Sequence, residues 1–478
     1  MRAKRRALLS LAVGSALTLV VAAPASAGFS APVFIGSSQA GSGWDASSLA
    51  LNDAGEAVAA YPAAVSQWCF GEPRPAAGAL VLQALGRTGT VGPPESVQVP
   101  GWFGGGVSSM SLDDAGRVAV GVVFSDWTSP SGCEPHSFGC CSRVAVTTWR
   151  LGHGPPRLAV LAPRRTRLEE AATEALGTPS VLVDRGTVTA VWPVGVPEEG
   201  SVGPGRTFIE EAHGPFGGRL RGAVLGTAGG NLGTVGLFDL GGPFAFWIST
   251  YNGYDSRARK VLETTVLHTA TGPPGGFLTR LQHGFGVPQS EADVVKDGDG
   301  DVVVGMDVLQ EPYERQSYLI FRKAPRGRFG LRERLQLGGQ VERASIAAGG
   351  RDTVMLVEQH YDGGVYVRRG SLSGQFGAPV YLGGISPEAG QQPEFFVDRR
   401  GRAVVAFTRR QHGLPAEVVA ATALPGRPFS SARAIAPSLP GCEAVPGGGP
   451  AGATTSDDGH AVFLIACDER RYVVFYSP

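Results

Sequence analysis

Short apolar runs separated by turn residues recur along nearly the whole chain. SSLALNDAGEAVAAY (47–61), SSMSLDDAGRVAVGV (108–122) and PSVLVDRGTVTAVW (179–192) share one layout. TVGLFDLGGPFAFW (234–247), EADVVKDGDGDVVVGM (291–306), PEFFVDRRGRAVVAF (393–407) and GATTSDDGHAVFLI (452–465) repeat it. Each is a strand-like run, an Asp/Gly turn and a second apolar strand, the pattern of a β-hairpin. In each, a glycine precedes a bulky apolar residue by six positions: Gly55/Tyr61, Gly116/Val122, Gly186/Trp192, Gly241/Trp247, Gly300/Met306, Gly401/Phe407 and Gly459/Ile465. ASIAAGGRDTVMLV (344–357) is a degenerate eighth copy that turns at Gly349-Gly350.

A third β-rich run follows each hairpin, as in ALVLQAL (79–85) and YLIFRK (318–323). A fourth element pairs a Phe with an aliphatic residue six positions on: Phe329/Leu335, Phe376/Leu382 and Phe429/Ile435. Four short strands per repeat predict an all-β chain forming a single β-propeller. We count eight four-stranded blades, or seven if the copy at 344–357 is not a full blade. The last repeat stops after its third strand, RYVVFYSP (471–478), while FSAPVFIG (29–36) supplies an orphan fourth element with Phe29 and Ile35 at the same spacing. Pairing the two closes the ring and leaves no open edge. The one helical pattern is TRLEEAATEAL (166–176).

The N-terminal residues change the picture of where this ring resides. Arg2, Lys4, Arg5 and Arg6 precede an apolar stretch, and Ala25-Ser26-Ala27 is a small-x-small cleavage site. This is a secretory signal peptide over 1–27, with the propeller over 28–478 and the protein secreted, by the general or the twin-arginine route. No later segment is long and apolar enough to span a membrane. The precursor carries 42 basic and 42 acidic side chains, and nothing in that balance points to nucleic acid or an anionic membrane surface. The six cysteines, Cys69, Cys133, Cys140, Cys141, Cys442 and Cys467, form an even set suited to disulfides in an oxidising compartment. Cys442–Cys467 is the favoured pair, with Cys69 joined to one of the other three. A metal site from Cys133, His136, Cys140 and Cys141 is the weaker alternative, because zinc-finger spacing is absent.

These tandem copies resemble the secreted β-propeller repeat proteins of bacteria, an architecture shared with sialidase and WD40-like propellers. The resemblance implies a fold and no particular activity. Sialidase blades carry S-x-D-x-G-x-T-W boxes; the nearest run here, SDDGHAVF (456–463), has its Gly one place early and lacks Thr-Trp. No catalytic residue carries over.

Propeller geometry places all the Asp/Gly turns on one face. On the other face, the loops between second and third strands are long: 66–78, 125–142, 194–205, 250–259 and 310–316. Long loops on a rigid scaffold are common binding elements. Trp44, Trp68, Trp102 and Trp127 belong to this face, joined by Tyr251, Tyr254, Tyr313 and Tyr361. Aromatic rings beside carboxylates suit a sugar or a peptide. The bland reading of the tryptophans is a local mini-core under cross-linked loops. At the channel mouth, Glu291, Asp293 and Glu394 are candidate catalytic acids, or plain solvated carboxylates. Asp297, Asp299 and Asp301 in KDGDGDVVVG resemble the start of a calcium loop, but Val302 stands where that loop needs Gly. Calcium is the one cofactor the sequence leaves open. The sequence therefore predicts a monomeric, extracellular binding protein for a glycan or protein. The alternatives are a hydrolase or lyase acting on a polysaccharide, and a structural component of the cell envelope.

Overall fold

The computed structural model describes residues 28–478 apart from 38–47, 65–77, 88, 100–106, 108, 126–141, 162–173, 176–178, 198–203, 229–230, 240–241, 256–259, 273–277, 282–286, 289–292, 297–300, 311–314, 324–329, 338–340, 351–352, 372–374, 386–391, 410–416, 437–448, 457 and 468–469. Eight antiparallel sheets follow one another in chain order, each with four strands running outward from the channel. They make an eight-bladed β-propeller. The copy at 344–357 is a full blade, the sixth, with strands Val341–Ala348, Thr353–His360, Gly364–Ser371 and Val380–Gly384. Among the described residues, no helix is long and apolar enough to cross a membrane.

The repeated Asp/Gly signature has a local cause. At Asn52, Asp113, Asp398 and Ser456, the backbone N–H bonds the carbonyl four residues on, and the carbonyl accepts from Gly55, Gly116, Gly401 or Gly459. These glycines have φ of +81°, +68°, +77° and +88°, a region that an L side chain resists. The result is a type I turn closed by a glycine bulge, a standard three-residue hairpin connection. The leading side chain locks it: Asp113 Oδ1 accepts the N–H groups of Ala115 and Arg117, both at 3.0 Å. Asp398 does the same for Arg400 and Arg402 at 2.8 Å. Blade 3 uses a two-residue turn instead, with Arg185 at φ +46° and Gly186 at +83°.

The apolar core is divided among the seams. Eight clusters of buried residues each draw on two neighbouring blades, from Val58 and Val118 at blades 1 and 2 to Ile35 and Ala57 at blades 8 and 1. The bulky residues six positions after the turn glycines lie in these seams: Trp247 and Phe407 are fully buried and Trp192 nearly so.

The ring closes as the two chain ends predict. Gly28–Phe29 and Val33–Ser37 pair antiparallel with Arg470–Ser477, supplying the outer strand of blade 8. Ser30 bonds Phe475 in both directions, N–H to carbonyl at 2.8 Å and hydroxyl from N–H at 3.0 Å. The Phe29 ring rests 4.9 Å from that of Tyr476. Ile35 inserts toward blade 1, where the Tyr61 hydroxyl donates to its carbonyl at 3.1 Å.

Three expectations change. Blade 3 continues as strand through Thr187–Pro197 and Pro204–Pro215, and blade 4 through Pro243–Asp255 and Lys260–Thr271. Strand thus enters both stretches expected as loops, through 194–197, 204–205 and 250–255, and Tyr251 and Tyr254 stand on a strand. Likewise Val302–Gln310 and Arg315–Lys323 leave only 311–314 between them. In the expected helical stretch, Glu174–Ala175 is instead a strand paired with Val194 and Gly195. Ladder hydrogen bonds to a neighbouring strand outweigh a weak helical propensity in so short a segment.

Candidate binding face

The innermost strands carry the residues that the sequence suggested as channel acids. Asp293 lies across from Gly305, and Glu394 across from Ala406. The same register holds Ser48 across from Ala60, Ser109 across from Gly121 and Ser345 across from Val357. Ser180 takes this place in blade 3. In blades 2, 3 and 5, side chains of the innermost strand reach the exposed edge of the next blade. Ser109 and Ser111 accept the N–H groups of Val181 and Val183 at 2.9 and 3.0 Å, and Ser180 accepts that of Leu237 at 2.9 Å. Asp293 Oδ2 accepts both the Ile346 N–H at 2.9 Å and the Tyr318 hydroxyl at 2.7 Å. An innermost strand has no neighbouring strand on its channel side for these donors, so a side chain from the preceding blade supplies an acceptor. Asp293 is thus occupied in joining blades 5 and 6. Glu394 shares its register and lies on the side of the strand that packs toward blade 8, as Phe396 does. Glu291 lies outside the described residues.

Asp301 is also engaged. It is 7% exposed and accepts from Arg322 Nε at 2.5 Å. Asp297 and Asp299 are outside the described residues. Among the described residues, no group of three or more His, Cys, Asp or Glu side chains is arranged to hold a metal.

A buried pair in blade 4 has the chemistry of a nucleophile and base. Ser249 Oγ lies 2.8 Å from His268 Nε2, and the imidazole stacks on Trp247 at 5.1 Å and 5°. Burial pushes the His268 pKa down. Ser249 is wholly buried in the seam, where no substrate reaches it, so the pair is a packing element.

On the long-loop side, blade 6 presents two strongly exposed tyrosines. Tyr361, in the turn between second and third strands, is 69% exposed, and Tyr381 on the outer strand is 58% exposed. Tyr366 links them. Its ring lies 5.2 Å from that of Tyr381 and 4.2 Å from that of His360. Beneath this ledge Glu358, 1% exposed, accepts from Arg368 Nε and lies 3.5 Å from His360 Nε2. A buried carboxylate held by a guanidinium fixes both strands and the rings above them. On the other side of the same strand, a shallow crevice toward blade 7 is lined by Arg343, Ser345, Gln359, Gln392 and Phe395. The ledge is a set of flat rings with hydroxyl tips beside polar groups, a surface that stacks on CH faces and hydrogen-bonds hydroxyls. Of these rings the sequence singled out only Tyr361. Tyr366 and Tyr381 come together through strand pairing across from each other, which a linear reading does not show.

Trp44, Trp68, Trp102, Trp127 and Tyr313 lie outside the described residues, as do Cys69, Cys133, Cys140, Cys141 and Cys442. Tyr251, Tyr254 and Cys467 are described only as backbone on strands.

No known protein family's profile matches the chain, and no curated protein matches it in sequence. Solved structures do match. A sialidase from Trypanosoma rangeli aligns over 81% of this chain and 56% of its own, with 11% identity and a TM-score of 0.36. A Burkholderia pseudomallei lectin aligns over 84% and 100%, with 11% identity and a TM-score of 0.44. An acylaminoacyl peptidase from Pyrococcus horikoshii aligns over 75% and 48%, with 9% identity and a TM-score of 0.39. The chain thus spans about half the length of the sialidase it matches. Likeness this distant, spread over proteins with different activities, carries nothing about the site.

Proposed function

We propose that this protein is a secreted propeller that binds an extracellular glycan on its long-loop face. The observation that carries the reading is the tyrosine ledge of blade 6, large rings held in the open by a buried Glu358–Arg368 pair. Large exposed aromatics cost solubility and are retained where a ligand covers them. Trp68 and Trp127, which the repeat pattern of the sequence assigns to the same face, are further candidates for that surface. The even set of six cysteines and the leader-like N-terminal sequence are what an extracellular setting would call for. A protein ligand is the neighbouring possibility within this reading, since the same rings would serve a peptide.

The test is a glycan array followed by calorimetry on the hits. Tyr361→Ala and Tyr381→Ala each remove about 1.5 kcal/mol of ring burial, or about tenfold in affinity. Binding that is indifferent to both substitutions, in protein that melts normally, removes the ledge from the account. Turnover of a bound polysaccharide would move the protein to the enzymatic alternative.

A further inference from the structure

The opposite face holds a cationic site between blades 6 and 7. Arg369, at the end of the third strand of blade 6, reaches across the seam. Its Nη1 donates to the carbonyls of Leu424 and Arg427 at 3.0 and 2.6 Å, and its Nη2 to that of Gly401 at 3.4 Å. The guanidinium also lies 5.2 Å over the Phe429 ring. These partners are carbonyls and a ring, so its charge meets no carboxylate among them. Its buried Nε–H finds no acceptor among the described residues.

The two turns that Arg369 ties together add to that charge. Residues 398–402 and 424–428 contain Arg399, Arg400, Arg402 and Arg427 against one acid, Asp398. Asp398 already accepts from Arg402 Nε at 2.5 Å. With Arg369, these two turns carry five arginines against one acid among the described residues, in a chain whose formal charge is zero. On the neighbouring turn of blade 8, Asp458 is bonded by Arg87 at 3.1 Å. Arg400 and Arg427 stand exposed on the two turns. Held apart by the Arg369 bridge, they offer planar donors suited to oxyanions.

We infer that the Asp/Gly face at blades 6 and 7 binds an anionic polysaccharide, through Arg400 and Arg427 set on the scaffold that Arg369 maintains. Among the described residues of the patch, Leu424 is the one large apolar side chain that is exposed, too little to enter a lipid surface. Its one aromatic ring, Phe429, is covered by Arg369 and cannot stack a nucleobase. A polymer of carboxylate or sulfate groups needs neither.

The experiment measures retention of the full chain on dextran sulfate, polygalacturonate and neutral dextran, with salt titration. Phosphatidylglycerol vesicles and single-stranded DNA serve as competing surfaces. The expected result is binding to at least one anionic polymer, released by salt and absent on neutral dextran. Which polymer binds separates sulfate from carboxylate recognition. Arg400→Glu/Arg427→Glu should weaken it at least tenfold with an unchanged melting temperature, and Arg400→Gln/Arg427→Gln should weaken it less. Tyr361→Ala/Tyr381→Ala on the other face should leave it intact. The inference fails if neither polymer binds at low salt, if the charge-reversed protein binds as the parent does, or if vesicles or DNA bind while both polymers do not.

Discussion

Blades 2 and 5 solve one problem in two ways. Each must satisfy the open inner edge of the blade that follows. Blade 2 does so with two hydroxyls, Ser109 and Ser111, each accepting one N–H. Blade 5 uses one carboxylate, Asp293, which takes an N–H and a phenol together. The serine seam spreads its bonds over two weak acceptors. The aspartate seam concentrates them on one charged acceptor beside Tyr318, whose side chain is fully buried. A carboxylate near a channel is therefore not a sign of chemistry until its register against the neighbouring blade is known.

The largest expected effect comes from Asp293→Ala, which strands two buried donors. At about 1–3 kcal/mol for each, the loss is about 3 kcal/mol. It is read as a clear fall in melting temperature, and Asp293→Ser should recover part of it. Equal stability of Asp293→Ala and the parent would erase the distinction between the seams. Ser109→Ala comes next at about 1 kcal/mol, because it removes a single neutral acceptor. A loss as large as that of Asp293→Ala would show that the two seams are equivalent.

The smaller effects depend on pH. Burial, and then the nearby Asp293, hold the Tyr318 phenol well above its usual value. The folded chain thus keeps this proton longer than the unfolded chain does. The resulting stabilisation is complete below about pH 10 and fades as pH rises beyond it. Alkaline melting curves should fall more steeply for the parent than for Tyr318→Phe. At the seam of blades 3 and 4 the sign reverses. His268 has its pKa lowered by burial, so its contribution is complete above about pH 6.5 and declines as pH falls below that value. His268→Gln should flatten the acid limb. Matching curves for variant and parent would show that the imidazole takes up its proton alike in the folded and unfolded chains.

The fold was largely legible because its signals are local. A turn glycine with positive φ, an Asp that locks the turn and a bulky residue six positions later all act within one hairpin, so they repeat in the sequence. The closure was legible because Phe29 and Ile35 keep the spacing of other outer strands. The roles of Asp293 and Glu394 were not, since a sequence carries register within a blade but not which edge the next blade presents. The blade 6 ledge escaped for the same reason: Tyr366 and Tyr381 are separated in sequence and joined by pairing. Blades 3 and 4 misled because proline, glycine and charged residues near 194–205 and 250–259 look like loop, while strand pairing carries on through part of each stretch.

Gly28 pairs with Ser477, so the first described strand of the ring lies beside its last. In a chain trimmed to residues 28–478, a short peptide joining these neighbours would give a loop that could be reopened elsewhere. A permuted protein cut at the exposed turn Tyr361–Asp362 would then keep every seam, with its new ends beside the ledge. The choice of where the polypeptide starts is thus separable from the architecture, and the ends become movable handles for attaching a reporter to either face.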